Sequence, residues 1–171
     1  IGMISGSNFQ DGIPRGDGDY YFSVYGHIWG WGTWRRTWRH YDVELNDISS
    51  DVFLEKYFTN PYCQKKWKRI YKKIKNYQID TWDYQWNFKL WHKSYINVIP
   101  NKNLIKNIGF GADATHTKRQ DDSISNREAL DFNLQNHPSA IEVQVEADKY
   151  ITSKICKKIS FMEKIKRKLQ K

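Results

Sequence analysis

The sequence predicts an α/β fold, because short segments with the pattern of buried strands alternate with amphipathic helices. Segments 20–25 and 95–99 are rich in apolar, β-branched and aromatic residues, and each predicts a strand. Segment 1–10 predicts a short buried strand that runs into a loop at 6–8. Two longer segments, 62–77 and 82–93, repeat large side chains at the spacing of one helix face. With 171 residues the chain fits one domain with a sizeable core.

Shorter elements are predicted around these five segments. Glycine, proline and aspartate predict a loop over 11–19, and Asp51 is an N-cap candidate for a helix. Ser125 and Glu128 have the spacing of a capping box, which predicts a helix start. The further elements predicted are helices over 33–40, 51–58, 125–136 and 148–171 and a strand over 140–145.

Two of the predicted helices carry a strongly basic face. The helix over 62–77 contains lysines and an arginine but no acid, and lysines surround the apolar stripe of the helix over 148–171. Together with the net charge of +9, these faces predict an anionic partner. An acidic membrane surface is the first candidate. The alternatives are a solvated face or, for the terminal helix, packing on the domain or on a second subunit.

The two cysteines, Cys63 and Cys156, fit no metal-binding or redox spacing. We therefore expect both thiols to be reduced, which suits a cytoplasmic protein. No apolar run reaches the ~18 residues that a membrane-spanning helix needs.

The densest aromatic stretch is the segment 27–42, which combines tryptophan, glycine and arginine. Glycine beside tryptophan lets a backbone approach a partner while a flat ring stays fixed. Trp34 and Trp38 lie four apart on a predicted helix, so we expect them to pack in the core. Trp29 and Trp31 precede that helix and are binding candidates, with core packing as the alternative.

Three segments in this order resemble bacterial family 2 glycosyltransferases of the GT-A fold. They are His-Ile-Trp-Gly-Trp-Gly-Thr-Trp-Arg-Arg-Thr-Trp at 27–38, Thr-Trp-Asp-Tyr-Gln-Trp at 81–86, and the segment 103–117. The resemblance implies that 1–147 is the acceptor-side, C-terminal part of a GT-A mixed sheet with flanking helices. A basic amphipathic helix, 148–171, would follow it. Because the chain starts without methionine inside a predicted strand, we expect the nucleotide-binding half to be missing upstream.

The resemblance also implies roles for individual residues. Asp83 occupies the place of the general base of an inverting sugar transfer, although Trp82 stands where many relatives have glutamate. From the residues alone, Asp83 is either an ordinary first-turn acid or such a base. The remaining candidates are Trp29, Trp31, Arg35, Arg36 and Asn8 for substrate binding and His116 for a metal or the donor diphosphate.

A divalent metal, Mn²⁺ or Mg²⁺, would be held mainly by an Asp-x-Asp motif upstream of this chain. Asp17 and Asp19 match that pattern, but they follow the segment that the motif should precede, so we interpret them as loop residues. The expected partners are a nucleotide-sugar donor and a glycan or other hydroxyl acceptor, with the enzyme in the cytoplasm or peripheral at the inner face of the membrane.

Two other classes of function remain as alternatives. A non-catalytic carbohydrate-binding module would need the tryptophans but not Asp83. A basic module could bind a membrane or nucleic acid, since bases stack on aromatic rings. Nucleic acid is the less favoured partner, because the basic residues gather on two helices and the tryptophans elsewhere.

Overall fold

The computed structural model describes residues 1–108 and 127–156, which form a mixed α/β structure. A four-stranded sheet is flanked by helices, as the α/β prediction required. The strands are β1 (Met3–Ser5), β2 (Tyr20–Ser23), β3 (Trp31–Thr33) and β4 (Asn97–Pro100). The helices are α1 (Arg35–Trp38), α2 (Pro61–Lys75), α3 (Asp83–His92) and α4 (Val145–Ile155), with a 3₁₀ turn at Val52–Lys56.

The sheet has the strand order β2-β4-β1-β3, so the first and last strands in sequence lie side by side at its centre. β1 and β4 are parallel, with Ile4 opposite Val98. The outer pairs are antiparallel: β3 pairs with β1 and β2 pairs with β4. The predicted strand over 140–145 is reduced to one bridge, between Phe22 and Val143.

The core lies between the helices and one face of the sheet. Met3 of β1 packs against Trp86 and Leu90 of α3, while Tyr21 and Ile99 pack against Ala147 of α4. A larger cluster joins α2, α3 and α4 through aromatic and aliphatic side chains, which include Trp67, Tyr71, Phe88, Trp91 and Ile151. The high aromatic content of the chain is therefore used mainly for burial.

The opposite face of the sheet forms a groove of about 590 Å³, which we call the sheet groove. Ile4 and Val98 point to this face, as expected from the alternation of side chains along a strand. Trp34 and Ile141 line its rim. Ile4 is 46% exposed and Ile141 71% exposed, so the described residues leave an apolar sheet face open.

The long predicted helices α2 and α3 are confirmed. α2 begins with Pro61 after Asn60, whose side chain accepts a hydrogen bond from the Tyr62 backbone N–H. Of its apolar stripe, Trp67, Tyr71 and Ile74 are buried and Ile70 is partly buried, whereas the predicted last position, Tyr77, is exposed. Tyr77 has a positive φ of 53° and lies beyond the helix end, which turns its ring into solvent.

The expected helix over 33–40 is wrong at its start. Trp31–Thr33 instead forms β3, and Trp34 has an extended backbone as the N-cap of a single helical turn. Trp34 and Trp38 therefore do not share a helix face, and both are more than a third exposed. The expectation that they pack in the core is wrong for Trp34, which lines the sheet groove.

The expected helix over 125–136 is also wrong within its described part, 127–136, which has no helical turn. The Asp19 carboxylate accepts hydrogen bonds from the backbone N–H groups of Gln135 and Asn136, each at 2.7 Å, so that backbone is satisfied without a helix. α4 begins at Val145, three residues before the predicted start, and residues 157–171 lie outside the described part. In the ranges described, no helix is long and apolar enough to cross a membrane.

The expectation of two reduced cysteines is wrong. Cys63 in the first turn of α2 forms a disulfide with Cys156, the residue after α4, and their Cα atoms are 5.2 Å apart. That separation lies in the normal range for a disulfide. The bond joins positions 93 residues apart, and it removes the support that reduced thiols gave to a cytoplasmic setting.

Candidate functional site

Asp83 is the first residue of α3 and follows the N-cap Trp82. A carboxylate in the first turn is stabilised by the helix dipole. Among the described residues no side chain or backbone group hydrogen-bonds to this carboxylate. The Asp83 backbone is held in place, because Asn87 Nδ2 donates to the Asp83 carbonyl at 3.1 Å. Asn87 Oδ1 in turn accepts from the Gly26 N–H at 3.2 Å, which ties α3 to the loop after β2.

Two tyrosines lie near the Asp83 charge. Burial raises the pKa of Tyr84, and the negative charge of Asp83 adds to this. Burial also raises the pKa of Tyr41, with smaller contributions from the charges of Asp42 and Asp83. Both phenols therefore stay protonated at neutral pH.

Beside Asp83 lies a cluster of five aromatic rings, which we call the tryptophan cluster. Trp31 stacks on Trp82, with ring centroids 5.2 Å apart and planes 27° from parallel. Trp38 stacks on Tyr41 at 4.5 Å. Behind them lies Trp86, which is completely buried and has no acceptor for its Nε1–H in the part of the chain described. Trp82 and Trp38 are each 39% exposed, so they form the accessible surface of the cluster.

Trp29 takes a different place from Trp31. Its ring packs edge-to-face on Phe9 at 5.9 Å, and its carbonyl accepts from the Ser7 hydroxyl at 2.9 Å. Gly30, between the two tryptophans, has a positive φ of 57°. A Cβ there would meet the Ile105 side chain at 2.1 Å, so this turn requires glycine. The two candidate tryptophans are thus turned toward different neighbours.

The predicted arginines lie on α1 and are exposed. The Arg36 guanidinium lies over the ring of Trp34, 4.7 Å from its centroid, and Trp34 in turn lines the sheet groove. Within the described ranges neither Arg35 nor Arg36 forms an ion pair with a carboxylate. Both remain available for an anionic ligand or partner.

Asn8 is 3% exposed and is used by the protein itself. Its side-chain Nδ2 donates to the Pro100 carbonyl at 2.6 Å, and its Oδ1 accepts from the Gln10 N–H at 2.8 Å. In this structure Asn8 fastens the loop after β1 to the end of β4. A direct contact with substrate would require these bonds to be exchanged.

The metal candidates do not come together in the described part. His116 lies outside the described residues. Asp17 accepts from the Ser139 N–H and Asp19 from the 135–136 backbone, so both hold a loop, as interpreted from their position. Within the two described ranges, 1–108 and 127–156, no three histidine, cysteine or acidic side chains are arranged to hold a metal ion. These described residues do not fit a metal site.

Sequence reasoning missed the part that Trp82, Tyr41 and Tyr84 play in this site. The one available signal was Trp82 itself, an exposed indole placed directly before the candidate acid. Tyr84 directly follows Asp83, whereas Tyr41 comes from a distant part of the chain, and no local pattern marks either tyrosine.

No known protein-family model, curated protein or solved structure matches this chain. The class of the protein is defined by its fold alone, which is that of a mixed α/β protein. Its described surface combines an unpaired carboxylate, protonated phenols and exposed indoles on one side with an open apolar sheet face on the other.

Proposed function

We propose that this chain is the acceptor-binding half of a nucleotide-sugar-dependent glycosyltransferase in which Asp83 is the general base. The observation that carries the proposal is the position of Asp83. It starts α3 directly after Trp82, which stacks on Trp31, and no cation neutralises it among the described residues. The resemblance of the segments at 27–38, 81–86 and 103–117 to family 2 glycosyltransferases supplies the reaction class.

The aromatic surface suits a sugar acceptor. The C–H face of a sugar ring stacks well on an indole, and the exposed rings of Trp82 and Trp38 offer such faces. Trp31 supports Trp82 from behind, so its contribution is to hold the exposed ring in position. This assigns Trp31 a supporting role and moves the acceptor contact to Trp82.

In the proposed reaction, Asp83 removes one proton from the acceptor hydroxyl group. As the acceptor hydroxyl oxygen bonds to the anomeric carbon, its proton passes to the Asp83 carboxylate. The bond from the anomeric carbon to the donor phosphate breaks, and the nucleoside diphosphate leaves with the bonding electrons. A carboxylate held by a helix start and unneutralised by a cation is suited to this step. Inversion at the anomeric carbon follows from the resemblance.

The open sheet face also supports the proposal. The resemblance implies a nucleotide-binding half upstream, and such a half would require uncovered apolar surface to pack against. The sheet groove, with exposed Ile4 and Ile141, is a surface of this kind. Arg36, over the Trp34 ring that lines this groove, would then face the donor side, where a diphosphate needs a cation.

The test is a sugar-transfer assay on a protein extended upstream to include the nucleotide-binding half, with Mn²⁺ or Mg²⁺ and a panel of nucleotide sugars. We expect turnover that falls at least about 100-fold in Asp83→Asn, because general-base catalysis contributes that much. Acceptor binding should be retained, since Asn keeps the size of the side chain.

The matched control is Asp80→Asn, which removes an exposed acid three residues away and should leave turnover unchanged. Turnover that survives Asp83→Asn would reject Asp83 as the base. If no nucleotide sugar binds or reacts while glycans still bind, the chain is a non-catalytic carbohydrate-binding module that uses the same indoles.

A further inference from the structure

A second concave site lies between α2, α3, α4 and the loop after β2. It has a volume of about 230 Å³. Its walls are largely apolar and aromatic. The apolar lining comes from Phe9, Tyr25, Trp67, Tyr84, Ile151 and Ile155. We call it the helix cleft. An apolar cavity of about 150 Å³ is enough to bind benzene, so the helix cleft has room for a body of one or two rings.

One cation at the helix cleft has no counter-ion in the part of the chain described. Lys66 Nζ donates to the Ile155 carbonyl at 2.5 Å, and this is its one hydrogen bond to the described residues. The other lysine of the lining, Lys154, is paired with Asp11. Burial lowers the pKa of Lys66. Because Lys66 is only partly buried, the cost of holding its ammonium group without an anion is moderate, and an anionic ligand beside it would relieve that cost.

Two further groups of the lining bear on the chemistry of a ligand, an indole N–H donor and a neutral imidazole. Trp67 lines the helix cleft, and its buried Nε1–H has no acceptor among the described residues. His27 is held neutral, because burial lowers its pKa to about 4. The recognition of charge therefore falls on Lys66, while the imidazole and the aromatic rings present neutral surfaces.

We propose that the helix cleft binds a small carboxylate with an apolar body of one or two rings, its carboxylate paired with Lys66. The apolar body lies between Trp67 and Ile151, on α2 and α4. This site is distinct from the tryptophan cluster and does not depend on the transferase proposal. The two sites are neighbours, since Tyr84 and Asn87 of the cleft lining belong to the first two turns of α3, which begins at Asp83.

The experiment is a titration of the full chain, labelled with ¹⁵N at the tryptophan indoles, with 2-naphthoate and with its neutral analogue 2-naphthamide. We expect naphthoate to bind about 10-fold or more tightly than the amide, because a hydrogen bond to a charged group is replaced by a neutral one. The Trp67 indole resonance, assigned with Trp67→Phe, should shift on binding. Trp34 should not shift, because it lines the sheet groove.

Lys66→Met should abolish the preference for naphthoate over the amide while keeping weak binding of both. Lys65→Met is the matched control, because Lys65 is the exposed neighbour on α2, and it should keep the preference. If Lys66→Met does not fold, Lys66→Arg serves instead and should keep the preference. Equal affinity for the two probes, or shifts at Trp34 instead of Trp67, would overturn the proposal.

Discussion

Trp31 of β3 stacks on Trp82, the residue before α3, with the ring centroids 5.2 Å apart. This contact joins the glycine-rich segment to the start of the helix that carries Asp83. Trp82 directly precedes Asp83 in the chain, so the contact supports an exposed indole beside an unneutralised carboxylate. The candidate site therefore needs both segments, the one that contains Trp31 and the start of α3.

The first prediction concerns the exposed ring of the tryptophan cluster. Trp82→Ala should weaken binding of sugar acceptors about 5- to 10-fold, because it removes an aromatic face. Titration of a panel of methyl glycosides, followed through indole NMR resonances, measures this. Trp34→Ala is the control, since Trp34 is similarly exposed but lies at the sheet groove. Equal losses in both variants would argue against the tryptophan cluster as the acceptor surface.

The second prediction concerns the disulfide. Cys63→Ser combined with Cys156→Ser should lower the free energy of unfolding by about 2–5 kcal/mol, because a long loop in the unfolded chain is no longer closed. Urea unfolding with and without a reducing agent measures this. The reducing agent should destabilise the wild-type protein to the same degree and leave the double variant unchanged. A wild-type protein insensitive to reduction would show that the cysteines are not bonded in solution.

The third prediction concerns pH and a buried carboxyl group. Burial raises the pKa of Asp148 from its usual 3.8 to about 6, against the hydrogen bonds that it accepts from Ser23 and Val24. A raised folded-state pKa means that the carboxyl group favours folding below about pH 4 and loses this contribution as the pH rises through 6. The shift of about two pH units corresponds to about 3 kcal/mol.

The variant Asp148→Asn removes that titration. The difference in the free energy of unfolding, variant minus wild type, should therefore rise from about pH 4 and level off by about pH 7. Urea unfolding at four pH values measures the difference, and Asp80→Asn, at an exposed acid, supplies a control with little slope. A flat difference for Asp148→Asn would mean that Asp148 titrates normally.

The fourth prediction concerns the buried ammonium group of Lys89, whose side chain is 2% exposed. It pairs with Asp47 and lies 3.5 Å from Asp42. Changing both acids to asparagine leaves a buried cation unpaired and should cost about 3 kcal/mol in the free energy of unfolding. Lys93→Met removes a more exposed partner of Asp47 and should cost less than about 1 kcal/mol. Similar costs for the two changes would show that Lys89 is hydrated.

Where local periodicity was strong, the prediction from sequence succeeded. α2 and α3 lie where their apolar stripes and the Asn60–Pro61 start signal placed them. The predictions failed where tertiary contacts replaced local ones. Trp31–Thr33 forms a strand because it pairs with β1. The segment 127–136 is not helical because the Asp19 carboxylate accepts hydrogen bonds from its backbone N–H groups.

The candidate site also combines features that neighbouring residues determine with features that depend on distant contacts. Asp83 could be placed on a first helical turn from its sequence alone, because helix starts depend on neighbouring residues. The stacking of Trp31 on Trp82 and the burial of Asn8 could not, because each contact joins distant parts of the chain. The disulfide is the extreme case, with 93 positions between its cysteines.

Composition and short-range pattern thus set the helices α2 and α3, the aromatic character of the core and the basic face of α2, since each follows from neighbouring side chains. Tertiary structure alone determined which tryptophans are accessible, which carboxylates are neutralised and that the partly buried Lys66 has no anion beside it among the described residues. Those choices depend on which segments meet when the sheet forms, and local sequence carries no record of long-range pairing.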